Sequence, residues 1–171
     1  MQRSLIITLA LLCLSAGGAL AQTEERAVTR TTFGDWTRVC ADATGECALE
    51  QIGKTANGED ALLMQVQKLP EPRTVDGVRI EAIAVIRVPF NIVLANQLRL
   101  RVDQGEVTAS QYLTCNQQGC IVQAPLRPEQ LESFRRGARA ELGYTLIQGD
   151  KFQNVAATVS LSGFTRGFEG L

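Results

Sequence analysis

Residues 78–88, Val-Arg-Ile-Glu-Ala-Ile-Ala-Val-Ile-Arg-Val, place an apolar side chain at every second position. A period of two fits an extended strand, whose successive side chains point to opposite faces, and does not fit a helix. Val78, Ile80, Ala82, Ala84, Ile86 and Val88 therefore share one buried face, with Arg79, Glu81 and Arg87 beside Ile83 and Val85 on the other. Residues 98–103 alternate in the same way, and Gly105 suits a hairpin turn into residues 107–114. Further strands are expected over 33–39, 47–52, 62–69, 120–124, 142–148 and 155–161, with Asn57-Gly58 and Asp76-Gly77 marking turns between them.

Residues 127–137 break the pattern. Pro128 stands at a first helical position, Glu129 lies in the first turn, Arg135 and Arg136 in the last, and Gly137 is a stop. This predicts one short helix with Leu131 and Phe134 on its apolar side, and a further turn over 162–171. Many short strands with little helix favour a two-layer β-sandwich, with a barrel as the alternative.

The first 21 residues run from Arg3 through an apolar stretch to Ala19-Leu20-Ala21, the pattern of a cleavable secretory signal peptide. Leu12 before Cys13 argues against lipidation, and no later stretch reaches the roughly 20 apolar residues of a spanning helix. The expected organisation is a signal peptide over 1–21, a flexible leader over 22–32 and a single β-sandwich domain over 33–171, located in the periplasm or secreted. A domain of this length buries roughly 70% of its unfolded surface, so its core requires no metal.

Without Arg3 the chain carries 16 basic against 18 acidic residues, which lacks the basic excess of a nucleic-acid-binding surface. Histidine is absent from the whole sequence. That removes Ser-His-Asp and Cys-His catalysis and histidine-bound zinc, leaving carboxylates, Lys, Tyr or Cys for any chemistry.

Cys40, Cys47, Cys115 and Cys120 follow the signal peptide with spacings C-x6-C and C-x4-C. Neither pair has the two intervening residues of a thioredoxin-like dithiol, and only the second fits a zinc knuckle. An exported protein meets an oxidising compartment, which favours disulfides. Three connectivities are open. Each pair brackets a turn, 41–46 or 116–119, so bridging across a hairpin mouth favours Cys40–Cys47 and Cys115–Cys120.

Phe33-Gly34-Asp35-Trp36 before Cys40, then Cys47, the segment 88–94, Cys115, Gly119-Cys120 and Ser160-Leu161-Ser162-Gly163-Phe164 occur in an order that resembles the invasion-associated locus B family of exported bacterial proteins. The resemblance extends from Phe33 to Leu171. It implies an immunoglobulin-like β-sandwich and a contribution to the invasion of host cells, and it supplies no catalytic residues.

Asp35 is expected to cap a turn, with Trp36 in the core. Glu46, Glu50, Glu59 and Asp60 could supply a carboxylate pair for glycan hydrolysis only if folding brought two of them together. Arg99 and Arg101 share one side of a strand and Arg87 could join them as a binding patch; Arg135, Arg136 and Arg139 form a second cluster. Pro89 marks an edge or bend, after which residues 90–94 are read as core, with an exposed apolar strip as the alternative. The expected protein is a non-enzymatic domain held by two disulfides, without cofactor or metal, that binds a protein or envelope component. A carboxylate-based periplasmic enzyme and a structural envelope-stress protein are the rivals.

Overall fold

A computed structural model describes residues 27–171. The signal peptide expected over 1–21 and the first part of the expected leader lie outside the described residues. In chain order the elements are β1 (Val28–Phe33), β2 (Trp36–Ala41), β3 (Cys47–Lys54), β4 (Asp60–Val75), β5 (Val78–Val88), β6 (Leu98–Val102), β7 (Thr108–Ser110), β8 (Tyr112–Asn116), β9 (Gly119–Leu126), α1 (Pro128–Arg136), β10 (Arg139–Gln148), β11 (Lys151–Ser160) and α2 (Phe164–Glu169).

The all-β class expected from the periodicity is what forms. In place of two separate sheets, all 11 strands join one antiparallel sheet in the order β7-β6-β10-β11-β3-β4-β5-β9-β8, with β2 on the free half of β3 and β1 on β2. Only Gln111 separates β7 at one end from β8 at the other, so the sheet curls until its ends approach, close to a barrel. A twisted sheet this wide with one apolar face buries that face by coiling on itself.

Alternation sets the core. Ile80, Ala82, Ala84, Ile86 and Val88 of β5 are buried, as are Leu62, Met64 and Val66 of β4, Cys120, Val122 and Leu126 of β9, Leu142 and Tyr144 of β10, and Val159 of β11. The helices close the barrel interior. Helix α1 follows its predicted limits, with the Arg127 amide donating to Gln130 Oε1 at 3.0 Å. The turn expected over 162–171 is a second helix, α2. Its Phe164 ring lies 5.3 Å from both Trp36 and Phe134 and 5.5 Å from Phe168, giving an aromatic plug that buries Leu131 and Phe134 of α1.

Three boundaries differ from the sequence expectation. The leader read over 22–32 gives way at Val28 to β1, and the strand expected over 33–39 is a two-residue hairpin, with Phe33 opposite Trp36 across Gly34-Asp35. The strand expected over 107–114 is broken at Gln111, where the chain passes from one end of the sheet to the other. Strand β4 runs past Leu69 and pairs with β5 in an arm whose residues 70–77 are all exposed.

Segments 33–36 and 160–164 interlock. The Asp35 amide donates to Ser162 O at 3.0 Å, the Trp36 indole N–H to Ser160 O at 2.8 Å, and the Ser160 hydroxyl to Asp35 Oδ2 at 2.6 Å. Trp36 is core as expected, while the Asp35 carboxylate accepts from a hydroxyl rather than capping an amide. Strand β3 pairs with β2 over Cys47–Glu50 and with β11 only at Lys54, which leaves a fork between them. Gln51 fills it: its Oε1 accepts from the Ser160 amide at 2.6 Å and its Nε2 donates to Asp35 O at 2.7 Å. Gly163 has φ +88°, and a Cβ there would lie 1.8 Å from Phe33 O.

Gln51→Leu should therefore destabilise the domain by about 2–4 kcal/mol in urea unfolding, since two backbone groups lose their partners at about 1–3 kcal/mol each with partial solvation. Gly163→Ala should cost more than about 3 kcal/mol, from strain and overlap combined. A Gln51→Leu midpoint equal to wild type would show that the fork closes without this side chain.

After α1, the Asp103 carboxylate accepts from the Ala138 and Arg139 amides at 3.0 and 3.1 Å. These bonds, the Ala138 one foremost, hold its pKa below the usual carboxylate value. A depressed folded-state pKa stabilises above the unfolded pKa of about 4 and the effect is lost as pH falls through the folded value. Asp103→Asn should be less stable than wild type at pH 7, with the gap narrowing below about pH 4. Denaturant titrations at pH 7, 5 and 3 check this; a gap of constant size would refute it.

Candidate functional site

Both cysteine pairs face each other across hairpin strands. Cys40 is opposite Cys47 between β2 and β3, and Cys115 opposite Cys120 between β8 and β9, each with Cα atoms 4.0 Å apart and the sulfurs bonded. The pairing is the hairpin-mouth one, so these thiols are not available as nucleophiles or ligands. Among the described residues no group of three or more Cys, Asp or Glu is placed to hold a metal, and no helix is long and apolar enough to cross a membrane.

The arginines divide differently from the expectation. Arg99 and Arg101 do lie on the outward side of β6. Arg87 is on β5, half-buried between Leu63 of β4 and Ile121 of β9, and β5 is not a neighbour of β6. Sequence parity had identified its face but not its distance across a curled sheet. Arg139 of β10 takes its place: Glu141, opposite Arg101, accepts from Arg101 and, at 3.2 Å, from Arg139 Nε. The bond from Arg101, then that from Arg139, holds the Glu141 pKa below the usual range. The second cluster is thus split, with Arg135 and Arg136 both paired to Glu132 on α1 and the Arg135 guanidinium 5.5 Å above the Phe168 ring.

Arg99 faces no carboxylate and makes no side-chain hydrogen bond among the described residues. It borders a concavity of about 580 Å³ on the outer surface of β6, β10 and β11, lined also by Asn96, Gln97, Gly143, Thr145 and Asn154. Thr145 is the buried polar residue at its floor, 7% exposed. Its hydroxyl donates to Asn154 Oδ1 at 3.0 Å and accepts from Asn96 Nδ2 at 3.2 Å. Phe152, 74% exposed, lies two residues before Asn154 on the same face, directly opposite Ile147. Sequence reasoning missed these polar residues. Counting back from Gly149-Asp150 as a two-residue turn would have registered Thr145 against Asn154 and Ile147 against Phe152.

The segment after Pro89 is mixed. Ile92 is core at 6% exposed and bridges Leu146, whereas Phe90 and Leu94 are exposed at 46% and 57%.

Two of the four carboxylates weighed for glycan hydrolysis are taken up by ion pairs. Glu50 is bound to Arg30 at 2.7 Å and accepts from Gln65, Asp60 pairs with Lys54, and Glu46 and Glu59 sit on turns. Asp35 and Glu50 both border a larger concavity of about 900 Å³ at the β2–β3–β11 fork. The carboxylates whose pKa is displaced, Asp103 and Glu141, are both lowered, the reverse of what a general acid needs. Burial raises the phenols of Tyr112, to about 12, and Tyr144, so both stay protonated at neutral pH.

The crystal structure of invasion associated protein B from Bartonella henselae has the same fold, with a TM-score of 0.63 at 24% identity over 83% of this chain and 94% of that one. Two invasion protein B homologues, from Brucella abortus strain 2308 and Brucella abortus biovar 1 strain 9-941, are each 27% identical over 135 residues, 78% of this chain and 73% of theirs. The model of the invasion associated locus B protein family matches residues 36–171, which takes in both cystine hairpins, the aromatic plug and the outward arginine face. The chain belongs to the invasion associated locus B family.

Proposed function

We propose that this protein is an exported domain that acts by contact rather than by catalysis, and that the outward face of β6 and β10 is its contact surface. The observation that carries this is Arg99: an exposed side chain without a counter-ion among the described residues, on a strand beside the Arg101–Glu141–Arg139 group. Arg99, Arg101 and Arg139 against Glu141 and the neighbouring Asp103 leave that face with an excess of one positive charge on a chain of net charge −1. Strand positions fix the backbone beneath the cations, so little backbone freedom is lost on binding. The guanidinium fork suits carboxylate or phosphate on a partner.

Export follows from the signal-peptide pattern of residues 1–21, and the two disulfides are chemically consistent with a periplasmic or secreted location. The relatives named as invasion protein B homologues support placing the contact at the bacterial envelope or at a host cell, as part of invasion. The cysteines are locked in disulfides, and the Asp103 and Glu141 carboxylates are engaged by the Ala138 and Arg139 amides and by Arg101 and Arg139.

A strain lacking the gene, complemented with wild type or with Arg99→Glu/Arg101→Glu, tests this. Host-cell uptake should fall at least tenfold in the double variant while detergent sensitivity stays at the wild-type level. Equal uptake for both forms, with matched thermal midpoints of the purified proteins, would remove the arginine face from the function. Detergent sensitivity that tracks the deletion while uptake does not would favour a structural envelope role.

A further inference from the structure

The concavity beside Arg99 has the chemistry of a saccharide site, and we infer that it binds a carboxylate-bearing sugar. This deepens the contact role proposed above and rests on it only for placing function on the outer face of β6, β10 and β11. A volume of about 580 Å³ lies within the range of small-molecule sites.

Arg99 supplies a cation that has no counter-ion among the described residues. A single guanidinium fork matches the two oxygens of one carboxylate, whereas a phosphate dianion draws on several cations or a nest of amides. The neighbouring cation Arg101 is held by Glu141. Glu141 repels an anion only weakly, since Arg101 and Arg139 both contact it.

The remaining lining is neutral. Thr145 uses its hydroxyl on Asn154 Oδ1 and Asn96 Nδ2, which leaves the Asn154 amide nitrogen and the Asn96 amide oxygen without partners among the described residues. Those groups and Gln97 offer both donors and acceptors, as sugar hydroxyls require. Phe152 stands roughly 7 Å from Asn154 along β11, far enough to meet the apolar face of the next sugar unit in a chain.

Gly143 is the second, independent observation. It lies in β10 between Arg99 of β6 and Ala156 of β11. A Cβ at this position would meet nothing closer than Val155 O at 3.9 Å, and its φ is not positive, so neither packing nor backbone requires glycine. A side chain there would instead occupy the concavity beside Arg99.

The test titrates tetragalacturonic acid and its methyl ester into the oxidised full-length mature protein by calorimetry and amide chemical shifts. The free acid should bind, with shifts centred on Arg99, Thr145 and Asn154, and the ester at least tenfold more weakly. Arg99→Gln and Gly143→Val should each weaken binding at least tenfold with unchanged thermal midpoints, and Phe152→Ser about threefold. Ester binding equal to acid, Gly143→Val binding equal to wild type, displacement by equimolar inorganic phosphate, or no binding of the acid at millimolar concentration would each overturn the inference. In the last case, a loss of cell contact in Arg99→Glu/Arg101→Glu would leave the contact reading standing. Saccharide binding with unaltered cell contact would sink that reading and keep the site.

Discussion

The buried indole of Trp36 has to find a hydrogen-bond acceptor, and it finds Ser160 O, 124 residues later in the chain. The rest of the sheet is arranged around that bond. Two strands, β2 and β11, compete for one edge of β3, and neither can occupy all of it while Trp36 is held against Ser160. Gln51 resolves the competition by supplying one acceptor and one donor where the ladder parts. Close approach of Gly163 to the Phe33 carbonyl then turns the chain so that Phe164 packs edge-on against Trp36. Residues 33–36 and 160–164, two of the marks that signal the family in the sequence, are therefore one structural clasp.

This division of labour explains why the cystines lie where they do. The core closes through Trp36, Phe134, Phe164 and the inward residues of the strands, and of these only Cys120 carries a covalent link among the described residues. Cys40, Cys47 and Cys115 are only partly buried or exposed, and each bond spans the mouth of a peripheral hairpin. Closing such short loops stabilises by roughly 2–2.5 kcal/mol each through the unfolded chain. What they secure is the turn end of the β2–β3 and β8–β9 hairpins.

Local rules were legible wherever one element decides its own fate. The period of two in β5 placed five buried residues correctly, and the proline, charges and glycine around α1 gave its limits. Edge strand β1 was hidden because Val28-Thr-Arg-Thr-Thr-Phe33 buries no face and shows no apolar alternation. Gln51 could not be found, since its role exists only where two other strands diverge. The same reason misplaced Arg87: alternation tells which side of a strand a residue faces, while the curl of the whole sheet decides what lies beside it.

Glycine in a strand interior is unfavourable by about 0.5–1 kcal/mol relative to alanine, so each one in this sheet asks for a cause. For Gly119 the causes are a φ of +126° and contact, since a Cβ would lie 2.3 Å from Val88 O. Gly143 has no such neighbour, and its partner across the ladder on β11 is the small Ala156. Two small outward residues in adjacent strands, flanked by Arg99 on one side and Thr145 and Asn154 on another, hollow the surface at a point where the fold gains nothing by it. The inward positions of β10 are taken by Leu142 and Tyr144, so only the outer face was free to be shaped for something other than the core.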